Sequence, residues 1–268
     1  MAVLAVCVAA VLLALFLRLD PADQAAAVSP TPQVTATPEA TASPEPTPTP
    51  EPVPTPTPGP DYTRPVPLGE AVDPDEWFAD AVFIGDSRTD GLHLFSGITD
   101  KADFLYSTGI TVFEVISDRK VIRQGDKKVT ILEALGQKEY GKVYVSLGVN
   151  ELGGTTQEEF TQAYSQLIDA IREIQPNARL YIQSIIPVNT AKCKANNQRD
   201  YVTNENIAYL NSALSQLVIE KQVAYLDLSE VMADENGEVP PELSADGVHF
   251  KKEGYKLWLN YLACHTGV

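Results

Sequence analysis

Apolar and polar positions along residues 68–268 follow two rhythms. Short, nearly unbroken apolar runs recur at 81–84, 104–106, 143–147, 180–186 and 223–228. Their length and their content of β-branched and aromatic residues mark them as buried strands. Between the last three runs the period becomes helical. Thr156 with Glu159 forms a capping box, and the pattern continues to residue 174, just before Pro176. Apolar residues at 207, 210, 214, 217 and 218 predict a helix over 203–220. Tyr255, Leu257, Trp258, Leu259 and Leu262 predict a closing helix over 251–263. Residues 129–137 read as helical and 112–124 as irregular or hairpin-like. Strands alternating with helices imply a mainly parallel sheet covered on both faces, an α/β/α three-layer sandwich.

The amino-terminal quarter has a different texture. Met1 to Leu17 carries no charged side chain and is followed by Arg18. As a helix it would span roughly 25 Å, close to the apolar thickness of a bilayer. Residues 1–19 are therefore expected to be a transmembrane anchor or a signal segment. An uncleaved anchor is preferred, because Arg18, Asp20 and Pro21 separate the apolar run from the small residues Ala25 to Ala27. From Pro21 to Pro67 the chain holds 15 of its 20 prolines, so residues 20–67 are expected to be a disordered linker. Residues 68–268 then form one domain. The expected location is the cell membrane with the domain outside the cytoplasm, or secretion.

Charge and cysteine content narrow the partners. The chain has 36 acidic and 20 basic side chains, a net charge of −16, which argues against nucleic acid as a partner. Cys7 lies in the apolar segment, and Cys193 and Cys264 are candidates for pairing in an oxidising exterior. No ligand cluster for a metal or cofactor is evident in the sequence.

Four polar motifs follow the strand-like runs or precede the last helix: Gly-Asp-Ser at 85–87, Ser-Thr-Gly at 107–109, Gly-Val-Asn-Glu at 148–151 and Asp-Gly-Val-His at 246–249. In open α/β sheets the carboxyl ends of the strands share one edge, so these motifs converge there. Ser87 suits a helix N-cap, with Asp90 completing a capping box, and it equally suits a nucleophile presented at a strand-to-helix turn. A serine nucleophile needs a base and a group that orients the base. His93 lies two turns along the helix that follows Ser87, and His265, the fourth residue from the chain end, is expected to fray. His249 comes from a separate loop at the same edge, with Asp246 three residues upstream.

The set Ser87, Gly109, Asn150 and Asp246-x-x-His249 resembles the SGNH hydrolase superfamily of GDSL-type esterases over residues 77–263. The resemblance implies a flavodoxin-like sheet, a Ser87–His249–Asp246 triad and no cofactor. It also implies an oxyanion hole made by the backbone N–H groups of Ser87 and Gly109 and the Asn150 side-chain amide. Two positions depart from the family pattern: Arg88 stands where leucine is usual, and Glu151 where aspartate commonly follows the asparagine. The expected function is an extracytoplasmic serine esterase that removes short acyl groups, O-acetyl included, from carbohydrate or cell-wall material. The alternatives are acyl transfer to a sugar hydroxyl and an inactive wall-binding module.

Overall fold

Five parallel strands form the central layer of the computed structural model, which describes residues 60–267. They are β1 (Ala81–Gly85), β2 (Asp103–Tyr106), β5 (Lys142–Ser146), β6 (Arg179–Gln183) and β7 (Ala224–Leu226), in the spatial order β2-β1-β5-β6-β7. Counted within this sheet the order is 2-1-3-4-5, the flavodoxin-like arrangement, with its switch point between β1 and β5. A separate antiparallel hairpin pairs β3 (Ile122–Gln124) with β4 (Lys127–Val129). The helices are α1 (Pro74–Trp77), α2 (Ser87–Phe95), α3 (Val112–Val115), α4 (Ile131–Leu135), α5 (Gln157–Ile174), α6 (Thr190–Ala195), α7 (Asn204–Glu220), α8 (Ser229–Met232) and α9 (Lys252–Cys264).

Alternation along each strand divides the core in two. Val82, Ile84, Val143, Val145, Leu180 and Ile182 point to the face covered by α3, α4, α5 and α7. Phe83, Tyr144, Tyr181 and Leu226 point to the opposite face, under α1, α2, α8 and α9. On that second face four rings form a ladder across adjacent strands. Phe104 stacks on Phe83 at 5.0 Å, Phe83 on Tyr144 at 4.9 Å and Tyr144 on Tyr181 at 4.6 Å. Each stacked pair is also a registered strand pair, so side-chain stacking and backbone pairing specify the same register. Such pairs contribute about 0.5–1.5 kcal/mol each beyond area burial.

Several boundaries differ from the apolar runs. The run 180–186 leaves the ladder at Gln183, and side chains of α7 then take the place of a neighbouring strand. Asn211 brackets Ile185, accepting from its N–H at 2.8 Å and donating to its carbonyl at 2.9 Å. Asn204 does the same for Val188, at 2.8 and 3.1 Å. The 112–124 stretch resolves into the single turn of α3 and the first strand of the hairpin. The helix expected from residue 129 starts at Ile131, because Thr130 and Glu133 form a capping box. Cys193 and Cys264 do not pair with each other, and among the described residues both are free. Cys193 lies in α6 beside Gly247 of the histidine loop, and Cys264 ends α9.

The amino-terminal anchor or signal segment and the linker through residue 59 lie outside the described residues. Among the described residues, no helix is long and apolar enough to cross a membrane. Ordered packing is present from within 60–67. Val66 is 3% exposed and donates its N–H to the Tyr225 carbonyl of β7 at 2.8 Å. Gly69 and Val72 continue the strap along the end of α9, donating to the Cys264 and Ala263 carbonyls. Burying one valine contributes about 1.5–3 kcal/mol. A fragment starting at residue 68 should therefore unfold at a lower urea concentration than one starting at residue 60. Circular dichroism across a urea series measures the shift, and coincident midpoints would show that the strap adds no stability.

Candidate active site

The strand-to-helix turn after β1 is closed by Asp86 rather than by Ser87. Asp86 has the extended backbone of an N-cap, and its Oδ1 accepts from the Arg88 N–H at 2.8 Å. Ser87 is thus the first residue of α2, and its hydroxyl is left free of the capping bond. Asp86 is 2% exposed, and burial pushes its carboxyl pKa upward against the Arg88 N–H bond and the Arg88 charge.

Ser87 faces the loop before α9. Its Oγ lies 2.8 Å from His249 Nε2, and His249 Nδ1 lies 2.7 Å from Asp246 Oδ2. A carboxylate only accepts, so Nδ1 carries the proton and Nε2 is the acceptor for the Ser87 hydroxyl. Asp246 Oδ1 also accepts from the N–H groups of Val248 and His249, at 2.9 and 2.8 Å. Burial opposes its charge, yet the bonds from His249 and Val248 hold the Asp246 carboxyl below its usual range. Gly247 has φ +105°, and a Cβ there would sit 2.5 Å from Cys193 Sγ, so both conformation and space demand glycine. The far side of the loop is pinned by Asn189 N–H to the Gly247 carbonyl and by Gly247 N–H to Ser244 Oγ, both at 2.9 Å.

Gly109 and Asn150 arrive from the neighbouring strand ends. Gly109 has φ +74°, and nothing lies within 4 Å of a Cβ built on it. The backbone conformation, not lack of space, calls for glycine there. Among the described residues, the N–H groups of Ser87 and Gly109 donate to no protein acceptor. Both hydrogens of the Asn150 amide are engaged, with Asp86 Oδ2 at 3.2 Å and the Ile110 carbonyl at 3.0 Å. The structure therefore brings Ser87, His249 and Asp246 into one hydrogen-bonded chain. It joins Asn150 to the turn beneath Ser87 and to the Gly109 loop.

Three residues absent from the expected site belong to its support: Asp86, Arg88 and Glu151. Glu151 is 2% exposed, and its Oε1 accepts from the Val112 N–H at the start of α3, at 2.6 Å. Among the described residues, its Oε2 has no partner. Burial, and secondarily the Asp86 charge, push its carboxyl up to about 8. The Gly109 loop is thus tied to residues 150 and 151 at two points. For Arg88 and Glu151 the sequence signals were the departures at 88 and 151, and Asp86 stood in the Gly-Asp-Ser motif.

The other histidines serve elsewhere. His93 bonds Tyr106 at 3.1 Å and stacks on Phe104 at 4.5 Å. His265 is not frayed. It is buried at the end of α9, with Nδ1 2.7 Å from the Tyr261 carbonyl and its ring stacked on Tyr261. Among the described residues, no group of three His, Cys, Asp or Glu side chains is placed to hold a metal ion. A cavity of about 550 Å³ between residues 62–65 and α7 includes none of Ser87, Asp246 or His249.

Comparison with known proteins bears on the family and the fold. The isoamyl acetate-hydrolyzing esterase of Saccharomyces cerevisiae is 38% identical over 56 residues, which span 21% of this chain and 24% of that protein. The chain thus matches about a quarter of the length of that curated relative. A GDSL-like lipase from Bacteroides thetaiotaomicron superposes with a TM-score of 0.51 at 14% identity, covering 70% of this chain and 87% of that one. A G-D-S-L family protein from Desulfitobacterium hafniense gives 0.52 at 18% identity, covering 69% and 98%. Residues 83–257 match the GDSL-like lipase/acylhydrolase family. This match takes in Ser87, Gly109, Asn150, Asp246 and His249, and the chain belongs to that family, within the SGNH hydrolase superfamily.

Proposed function

We propose that the protein is a serine esterase that removes short acyl groups, acetyl foremost, from carbohydrate or cell-wall material outside the cytoplasm. The observation that carries the reading is the unbroken chain from Ser87 Oγ through His249 to Asp246. In the first half-reaction His249 Nε2 takes the Ser87 proton as Oγ attacks the ester carbonyl carbon. The imidazolium, held against Asp246, then protonates the leaving alcohol, and an acyl-enzyme remains. Water, deprotonated by the same nitrogen, releases the acid. The N–H groups of Ser87 and Gly109 receive the developing oxyanion. Asn150 joins them by exchanging one of its resting bonds for the oxyanion.

Exposure and relatives bear on the substrate. The His249 and Asp246 side chains are 38% and 34% exposed, so the site lies open to an ester carried on a bulky molecule. The yeast relative is named for hydrolysing isoamyl acetate, the ester of a two-carbon acid. The apolar amino-terminal run and the proline-rich stretch after it motivate the extracytoplasmic location.

Turnover of p-nitrophenyl esters of increasing acyl length by residues 60–268 tests the reaction. Acetate should be hydrolysed fastest. Ser87→Ala and His249→Ala should each reduce turnover to near background, and the double variant should be little worse, since triad members act as a unit. Asn150→Ala should cost roughly 100- to 1,000-fold, as for one oxyanion donor. A His249→Ala variant with wild-type turnover would falsify the mechanism, and a preference for long acyl chains would overturn the substrate class.

Glu151 makes stability depend on pH. Its carboxyl is raised from 4.5 to about 8, so between these values the native protein keeps a proton that the unfolded chain has released. Stability from this group is therefore fully present below about pH 4.5, declines as pH rises and levels off above about pH 8. Glu151→Gln, which accepts from Val112 but does not ionise, should flatten that decline. Thermal midpoints of both proteins at intervals from about pH 5 to about pH 8 measure it. Parallel curves would place the proton elsewhere.

A further inference from the structure

The residue next to the nucleophile is a buried cation whose bonds all lead to the histidine loop and to the end of β6. Arg88 is 2% exposed. Its Nε donates to the Val248 carbonyl at 3.0 Å, its Nη1 to the Ile186 carbonyl at 2.7 Å and its Nη2 to the Pro187 carbonyl at 3.4 Å. The guanidinium carbon lies 5.1 Å from the centre of the Phe250 ring. Val248 and Phe250 are the two neighbours of His249, so Arg88 grips the loop on either side of the imidazole.

We propose that Arg88 is a positioning residue whose planar fork fastens the His249 backbone to the end of β6 and so sets the Ser87–His249 distance. This rests on the reading of His249 as the general base. Ser87 and Arg88 are consecutive in the first turn of α2, so nucleophile and clamp move as one rigid unit. The clamp completes what Asn189 and Ser244 begin at Gly247, because it holds the segment on which the imidazole itself stands. A leucine at 88 would have no donor for these three carbonyls. Lysine would keep the charge beside Asp86 but lacks the planar fork that reaches several acceptors at once.

That contrast separates positioning from charge balance. Arg88→Lys and Arg88→Leu are made in the otherwise intact chain and compared by circular dichroism, by kcat and KM on p-nitrophenyl acetate, and by proton NMR. The NMR signal is the low-field resonance of the His249 Nδ1 proton shared with Asp246. With only three histidines in the chain, His93→Gln and His265→Gln backgrounds assign it. The expected result for Arg88→Lys is native secondary structure, a kcat lower by about 10- to 100-fold, little change in KM and a broadened or absent resonance, as follows from a small misplacement of a catalytic group. Arg88→Leu should lose at least as much. If Arg88→Leu does not fold, Arg88→Lys decides alone. Wild-type kcat and resonance in Arg88→Lys would show that the cation only balances Asp86, and the proposal falls. A lost kcat with an unchanged resonance overturns it equally. Should the wild-type protein hydrolyse no ester, the esterase reading fails, while the resonance still reports whether Arg88 orders His249.

Discussion

A carboxylate at 2% exposure needs donors on both oxygens, and the place of Asp86 between β1 and α2 decides which donors it finds. Oδ1 takes the Arg88 N–H, which fixes where α2 begins and hence the direction in which Ser87 leaves the sheet. Oδ2 takes the Asn150 amide, which arrives from the end of β5 on the other side of the switch point. One buried group therefore couples the nucleophile's helix to the loop beside it. Its charge is opposed by burial and supported first by Arg88. Arg88 in turn donates to the histidine loop and to the segment that follows β6. Support for both sides of the Ser87–His249 bond thus passes through Asp86 and Arg88, the two residues that flank Ser87, in one turn of backbone.

Much of this architecture was legible as pattern. A parallel sheet buried on both faces has to be written in apolar runs, and long helices with a polar side have to show a 3.6-residue period. Hence β1, β5, α5, α7 and α9 were readable nearly to their ends. The convergence of Ser87, His249 and Asp246 was also readable, because strand ends in such a sheet share an edge whatever the loops do. Ends set by single side chains were not. Asn204 and Asn211 replace a strand partner for residues 185–188, and in the sequence they are only polar positions on an amphipathic helix. The cap of α2 was misread for a related reason. Asp86 and Ser87 are both good caps, and only the backbone conformation tells which one stands outside the helix.

The supporting polar residues were the least legible part, since burial of a charge is a property of the surroundings and not of the residue. Arg88 and Glu151 look like surface residues by type. His265 looks like part of a fraying end, yet the Tyr261 carbonyl and ring keep it buried. In each case a tertiary contact supplies what the local sequence does not show.

Glu151 and Asp86 illustrate how such a polar foundation stays stable. Two buried carboxyls near one another do not both ionise cheaply, because each charge pays for its own desolvation and repels the other. Asp86 has two hydrogen-bond donors and a guanidinium on its side, whereas Glu151 has the Val112 amide and an Oε2 without a partner. Burial pushes both carboxyls upward, and Glu151, with the fewer donors, rises to about 8 and keeps its proton at neutral pH. As a neutral acid accepting from Val112, Glu151 anchors the Gly109 loop without adding a charge to the buried side of the turn. An ionised carboxyl there would have to be desolvated with a single donor, so the proton on Glu151 serves the packing of that loop.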